Sequence, residues 1–272
     1  MSIAREIAER LGTNSVLVRL LQPLREWTLA AVYDHRGLVR KVNGASMRVL
    51  PRYRWYFAPD YDPPVARFFQ QRVRPGDVCI NVGANLGVYA LQFAHWSAPS
   101  GQVFAFEPNP ATAGSLRAHV AMNRLGDRVH VMERAVSERP GMATFHAAGV
   151  NGMSRLGEPN PALAGQTTCL TVEVDSLDEF CGGRGLMPRA MMIDVEGFEA
   201  AVLTGARSLF ADRGRLPATV VEMHPNAWAV AGSDRASFER LLAELGVRPV
   251  PLSGQTDPLG EYGHVYLEPT DG

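Results

Sequence analysis

Asp77-Val78-Cys79-Ile80-Asn81-Val82-Gly83-Ala84-Asn85-Leu86-Gly87 is the stretch that decides the fold. Val78 to Val82 is a short apolar run of the kind that forms a strand buried on both faces. Gly83 and Gly87 then bracket a turn, and a helix is expected through about Trp96. Glycines at a strand-to-helix turn let the chain fold back tightly and let a ligand approach the backbone. Outward from this segment the rhythm repeats. Val103-Phe104-Ala105-Phe106 predicts a second strand, followed by Glu107-Pro108-Asn109-Pro110 and a helix over about 111–123. Val129 to Met132 predicts a third strand. Strand alternating with helix is the signature of a parallel sheet covered by helices on both faces.

Residues 141–175 break the rhythm. Ala143 to His146 and Leu170 to Val174 alternate like antiparallel strands, joined by a Gly/Asn/Pro-rich loop from Gly149 to Gly165 that is long enough to serve a site. The parallel pattern resumes with Ala190-Met191-Met192-Ile193-Asp194, a helix near 198–206, and Ala218 to Glu222. A helix near 234–245 and strands over Val247–Val250 and His264–Leu267 complete the expectation. The chain divides into an N-terminal extension, residues 1–72, and an α/β domain, residues 73–272. Within the extension, apolar spacing predicts helices over 3–11 and 16–30, whose stripe packs on the chain's own core, on a membrane surface, or on a partner subunit, as in a homodimer. A hairpin turns at Asn43-Gly44. Arg54-Trp55-Tyr56-Phe57 to Asp62 is an aromatic segment, and Pro63-Pro64 opens a helix over about 64–72.

Several residues carry chemistry. Glu107 ends the second strand, 20 residues beyond Gly87, where a carboxylate accepts the two hydroxyls of a ribose. The pattern favours a nucleoside cofactor. The full Gly-x-Gly-x-x-Gly fingerprint is missing, because Asn85 holds its middle position and Val88 follows Gly87, and this disfavours a NAD-dependent oxidoreductase. Asp194 stands at a strand end, where open parallel sheets place their ligands, and Glu196 follows it. Glu199 is read as a favourable charge at a helix start. Glu222 and His224 end the next strand and should neighbour Asp194. Asp194, Glu196 and His224 are the candidate catalytic groups for acid–base work. The same three residue types can hold a divalent cation, although that reading is not favoured. Trp55 and Tyr56 are candidates for an acceptor lid, since aromatic faces pack on sugar rings. Asn151 and Ser154 are candidates for a wall of the acceptor or cofactor site, and Glu222 for acceptor contact.

From about Pro59 onward the sequence resembles the FkbM family of S-adenosylmethionine-dependent methyltransferases. The resemblance rests on Arg74-Pro75-Gly76-Asp77-Val78 leading to Asn81-Val82-Gly83-Ala84-Asn85-Leu86-Gly87, on Phe106-Glu107-Pro108-Asn109-Pro110, on Ala135-Val136-Ser137, on Ile193-Asp194-Val195-Glu196-Gly197-Phe198-Glu199 with Val202, Leu203 and Gly205, and on Val221-Glu222. One departure is Asn81, where the family usually has Asp. The resemblance implies a Rossmann-like, class I methyltransferase fold with a seven-stranded, mostly parallel sheet whose last strand is antiparallel. It implies S-adenosylmethionine as cofactor, held by Asn81, Gly83, Asn85, Gly87, Glu107, Pro108, Ala135, Val136 and Asp194. It also implies O-methylation of a sugar, glycan or natural-product hydroxyl. The alternative raised by Asn81 is a cofactor-binding partner subunit without activity.

Composition narrows the rest. Among 272 residues, 27 basic and 28 acidic side chains give a net charge of −1, which does not support bulk binding to nucleic acid. Residues 1–74 hold 13 basic and 6 acidic groups, the remainder 14 and 22. All basic residues except Lys41 are arginine, which codon usage in a GC-rich bacterial genome explains. Cys79, Cys169 and Cys181 lie far apart without a CxxC pair, which argues against a disulfide scaffold or a structural zinc site and points to the cytoplasm. No run is long enough to be a transmembrane segment.

Overall fold

The computed structural model describes residues 36–150, 153–159, 163 and 165–270. The expected N-terminal helices, with the homodimer they suggested, and Asn151 lie outside the described residues. In chain order the elements are β1 (Leu38–Val42), β2 (Ala45–Val49), α1 (Pro63–Gln70), β3 (Val78–Val82), α2 (Val88–Trp96), β4 (Gln102–Phe106), α3 (Pro110–Met122) and β5 (Val129–Met132). Then follow β6 (Ala135–Val136), β7 (Gly141–Ala147), β8 (Arg155–Leu156), β9 (Thr168–Asp175), α4 (Leu177–Gly182), β10 (Ala190–Ile193), α5 (Glu199–Thr204), β11 (Ala218–Met223), α6 (Arg235–Leu245), β12 (Val247–Pro251) and β13 (Gly263–Pro269).

The main sheet has seven strands in the order β12-β13-β11-β10-β3-β4-β5. Pairs β10/β11, β10/β3, β3/β4 and β4/β5 are parallel, while β13 runs antiparallel to both β11 and β12. This is the class I methyltransferase arrangement, a parallel sheet with its last strand inserted in reverse. The central strands β3 and β10 are buried on both faces, as continuous apolar runs require. Ile80, Val82, Phe106, Met191, Ile193 and Val221 pack toward α4, α5 and α6. Cys79, Val103, Ala105, Met192 and Val220 pack toward α1 and α2. Helix starts are capped locally: Asn109 accepts the Ala111 amide before Pro110, and Asp234 forms a reciprocal capping box with Ser237.

Most elements fall within two residues of their expected ends. The middle section differs in more than boundaries. β7 and β9 do pair antiparallel, with Phe145 opposite Leu170, but they join β6 and β8 in a separate four-stranded sheet ordered β6-β9-β7-β8. The loop from Gly149 to Gly165 therefore contains a strand, β8, too short to leave a periodic signal. Helix α4, begun by the Ser176 cap, was not expected, because only six residues carry it.

The hairpin β1–β2 turns at Asn43 and Gly44, both with positive φ, as a tight hairpin turn requires. Its inner face, Val42, Ala45, Met47 and Val49, shares one apolar cluster with Phe57 and with Leu86, Val88 and Leu91 at the start of α2. The described part of the extension is thus a wall of the α/β domain. Asn43 extends that wall: its amide donates to the Pro59 carbonyl (2.8 Å) and its side chain to the Tyr61 carbonyl (2.6 Å), which pins the chain ahead of α1 over the sheet edge.

Candidate active site

The C-terminal ends of β3, β4 and β10 open on a pocket of about 630 Å³. Its floor is set by the turn after β3. The Gly83 and Ala84 amides both donate to the Phe106 carbonyl, at 3.0 and 2.8 Å, tying that turn to β4. Gly83 has φ +74, and a Cβ there would lie 1.7 Å from the Asp194 carbonyl oxygen. Only glycine lets the tips of β3 and β10 approach this closely. Gly87 lines no part of the pocket; it starts α2 and packs on Leu116.

Glu107 is buried at the end of β4. One carboxylate oxygen accepts the Asn85 amide (2.8 Å) and the other the Asn109 amide (2.9 Å). Each oxygen keeps a lone pair for a further donor. Burial raises its pKa to about 7, against the opposing pull of those two amides. Asn85, in the left-handed region at φ +47, carries a buried side-chain oxygen without a hydrogen-bond partner. Two acceptors without their full complement of donors, side by side in a pocket, suit a ligand rich in hydroxyl and amine donors. Pro108, Ala135 and Val136 also line the pocket. Ser154 lines it as well, with its hydroxyl accepting the Ala148 amide (2.8 Å). The loop bends over the opening: Asn85 and Asn109 donate to the carbonyls of Val150 and Gly149. Asn81 is buried on the opposite face of β3 from the lining residue Val82; it pairs in register with Ala105 and Met192, and its side-chain oxygen has no partner. The structure therefore brings Asn81 beneath the site and not into its wall.

Asp194 and Glu196 line the other end of the pocket. The structure does gather Glu222 and His224 beside them, though neither lines the pocket itself. Asp194 hydrogen-bonds Glu222. Burial, then the charges of Glu222 and Glu196, push its pKa well above the usual carboxylate range. Glu222 moves the other way. Burial opposes its charge, but His264, the Tyr262 hydroxyl, His224 and Asp194 together outweigh that and lower its pKa. Burial and the neighbouring carboxylates thus favour the neutral form of Asp194, while Glu222 is held toward its charged form. Glu196, at φ +52, also has a raised pKa, burial being the first cause.

Glu199, expected only as a helix-start charge, is the buried anchor of this cluster. With no exposed surface, it accepts the Gly197 amide (2.9 Å), His224 Nδ1 (2.8 Å) and Trp228 Nε1 (2.8 Å). The carboxylate accepts from all three groups. That makes His224 Nδ1 a donor and leaves Nε2 facing Glu196 at 3.7 Å. Burial works against the imidazolium, but the Glu199 bond and the surrounding carboxylates raise the His224 pKa to about 9. His224 is thus cationic at neutral pH, which removes it as a proton acceptor in the free protein. Replacing Glu199 by Gln removes the charge and most of the hold. The His224 midpoint, followed by imidazole NMR, should then fall by roughly one to two pH units.

Trp55 and Tyr56 are not brought to the pocket. Trp55 is 67% exposed under the Arg54 guanidinium. It is the far end of the aromatic segment, Tyr61 and Asp62, that turns inward. Asp62 accepts the Tyr89 hydroxyl (2.8 Å), and His264 Nε2 lies 3.9 Å from Asp62 and 3.8 Å from Glu222. Tyr262 donates to Glu222. Local pattern marked neither Tyr262 nor His264, because the antiparallel pairing of His264 with Glu222 brings them in from 42 residues away.

A seven-stranded sheet with one reversed strand, a glycine turn and a buried ribose-type carboxylate beside a cluster of titratable groups define a class I methyltransferase. Residues 81–249 match the family described as Methyltransferase FkbM domain. The chain belongs to that family, which sets aside the NAD-dependent alternative. Among curated relatives, the 31-O-demethyl-FK506 methyltransferase FkbM of Streptomyces tacrolimicus is 32% identical over 56% of this chain and 67% of its own. The 2-O-methyltransferase NoeI of Sinorhizobium fredii is 29% identical over 49% of this chain and 59% of its own. The hexuronic acid methyltransferase AglP of Haloferax volcanii is 28% identical over 66% and 67%. Among the described residues no helix is long and apolar enough to cross a membrane.

Proposed function

We propose that this S-adenosylmethionine-dependent methyltransferase methylates a hydroxyl of a sugar, glycan or natural product. The observation that carries the reading is one continuous pocket with Glu107 at one end and Asp194 with Glu196 at the other. Two of the relatives are named for methylation of FK506 and of a hexuronic acid and the third as a 2-O-methyltransferase, which supports the acceptor class. When bound, S-adenosylmethionine supplies the activated methyl and a sulfonium charge. Glu107 and Asn85 would hold the ribose, with Gly83, Pro108, Ala135 and Val136 shaping the wall. Asp194 is the candidate proton acceptor: a cation at the strand tip favours its ionised form, and Glu222 behind it can share the proton. His224, held cationic by Glu199, offsets the carboxylates around it. We assign the chain to the cytoplasm on its three free cysteines and treat 1–72 and 73–272 as its two segments.

Calorimetry with S-adenosylhomocysteine and with NADH tests the cofactor end. The first should bind and the second should not. Glu107→Ala leaves ribose hydroxyls without an acceptor and should cost about 1–3 kcal/mol of binding. The pH dependence has a definite sign. Below about pH 7 Glu107 takes up a proton and loses acceptor capacity, so affinity for S-adenosylhomocysteine should fall as pH drops through 7. In Glu107→Gln that slope should vanish. Release of S-adenosylhomocysteine in the presence of hydroxylated acceptors, and none without them, tests the acceptor end.

A divalent cation is a second reading of the same tip. Asp194, Glu196 and His224 each offer a ligand atom within 4.8 Å of the others. Loss of activity on chelation, restored by Mg²⁺, would favour that reading; full activity in chelator would exclude it.

A further inference from the structure

Every residue lining the cofactor pocket lies between Val82 and Phe198, inside the family-matched segment 81–249. Four of the groups gathered beyond Asp194 do not. In sheet order the strands past β10, away from Glu107, are β11 and β13. Because β13 is reversed, its first residues meet the last residues of β11, and His264 stands opposite Glu222. Facing them from the other side are Tyr61 and Asp62. Tyr61, Asp62, Tyr262 and His264 all lie outside 81–249.

Asp62 shows that this arrangement is built. It precedes α1 as the cap residue, yet its side chain caps no amide, so the usual stabilisation from an N-cap aspartate is forgone. Its backbone sits in the left-handed region, at φ +42 and ψ +64, a strain that persists only where the surroundings enforce it. The carboxylate is turned instead to the Tyr89 hydroxyl and toward His264. Asn43 and its bonded partner Gln92 hold the preceding residue in place.

The charge of the tip is one-sided. Asp62, Asp194, Glu196 and Glu222 converge there, and among the described residues no arginine or lysine forms an ion pair with any of them; only His224 and His264 stand opposite. Arg155 in the pocket wall acts on Glu196 through its charge but forms no ion pair with it, its guanidinium donating to the carbonyls of Glu158 and Pro159.

We propose that Tyr61, Asp62, Tyr262 and His264 form the acceptor subsite, and that it takes a neutral or cationic hydroxylated ring and rejects an anionic one. Carboxylates accept ring hydroxyls, tyrosine rings pack on C–H faces, and a carboxylate on the ligand meets like charge beside the partly buried Asp62 and Glu222. The inference rests on the hydroxyl-acceptor reading above.

The test is S-adenosylhomocysteine release with matched p-nitrophenyl glycosides: glucoside and galactoside, the corresponding amino sugars, and the corresponding uronides. The expected result is turnover of neutral or amino glycosides with kcat/KM at least tenfold above the matched uronide. Asp62→Asn and His264→Gln should each raise KM for the favoured glycoside severalfold, with the affinity for S-adenosylhomocysteine and the melting temperature unchanged. Asp62→Lys should move the preference toward the uronide. Equal use of the uronide by the wild type overturns the inference and leaves the hydroxyl-acceptor reading intact. So does an unchanged KM in both variants. Binding of S-adenosylhomocysteine without release from any glycoside overturns the hydroxylated-ring acceptor itself, and the subsite with it.

Discussion

Asp194→Asn should lower kcat by roughly 10²–10⁴-fold, the range that removal of a general base produces. The substitution preserves shape and deletes only the ability to take a proton. Burial and the charges of Glu222 and Glu196 already favour the neutral form of Asp194, and an amide resembles that form closely. Affinity for S-adenosylhomocysteine, which lacks the sulfonium charge, should therefore stay within a few fold. Affinity for S-adenosylmethionine should drop more, because only that ligand draws Asp194 into its ionised form. Steady-state kinetics with paired titrations of the two ligands read all three outcomes. A kcat near the wild-type value would move the proton acceptor off Asp194 and leave alignment of the reactants as the protein's main contribution.

Gly83→Ala should be the most damaging single change to the fold of the site. The left-handed backbone at φ +74 costs an L-residue roughly 1–2 kcal/mol. The added methyl then meets a backbone carbonyl, that of Asp194, at 1.7 Å. That contact is relieved only if β3 and β10 part, and overpacking of this kind costs about 1–3 kcal/mol more. A loss of roughly 2–5 kcal/mol corresponds to about 5–15 °C in melting temperature for a domain of this size. Cofactor binding should fail as well, since the same displacement carries Asp194 away from Glu107. Gly87→Ala is the informative companion. Its Cβ would press on the Leu116 side chain, which can move, so stability should fall with the pocket intact.

The sheet was readable because its strands are unbroken apolar runs between glycine turns and helices. Asp194, Glu196, Glu222 and His224 were readable because a parallel sheet gathers its strand ends at one edge, so residues that terminate strands must be neighbours. Glu199 was passed over because a carboxylate in the first turn of a helix already has a sufficient local reason; only the packing of Trp228 against it reveals the burial. Trp55 and Tyr56 were chosen for their rings, and composition cannot say which end of an aromatic segment turns inward. That choice is made by Asn43, through backbone contacts with Pro59 and Tyr61. Tyr262 and His264 depend on strand register across 42 residues, which leaves no trace in local pattern.

The reversed strand β13 also sets an order of assembly. A chain emerging from the ribosome as far as residue 230 already contains every side chain of the cofactor pocket, from Val82 to Phe198, and four of the seven sheet partners that support it together with β11. It still lacks Tyr262 and His264. Tyr61 and Asp62 by contrast precede the pocket, so the two halves of the proposed acceptor subsite emerge on either side of the cofactor pocket, and the subsite is completed last.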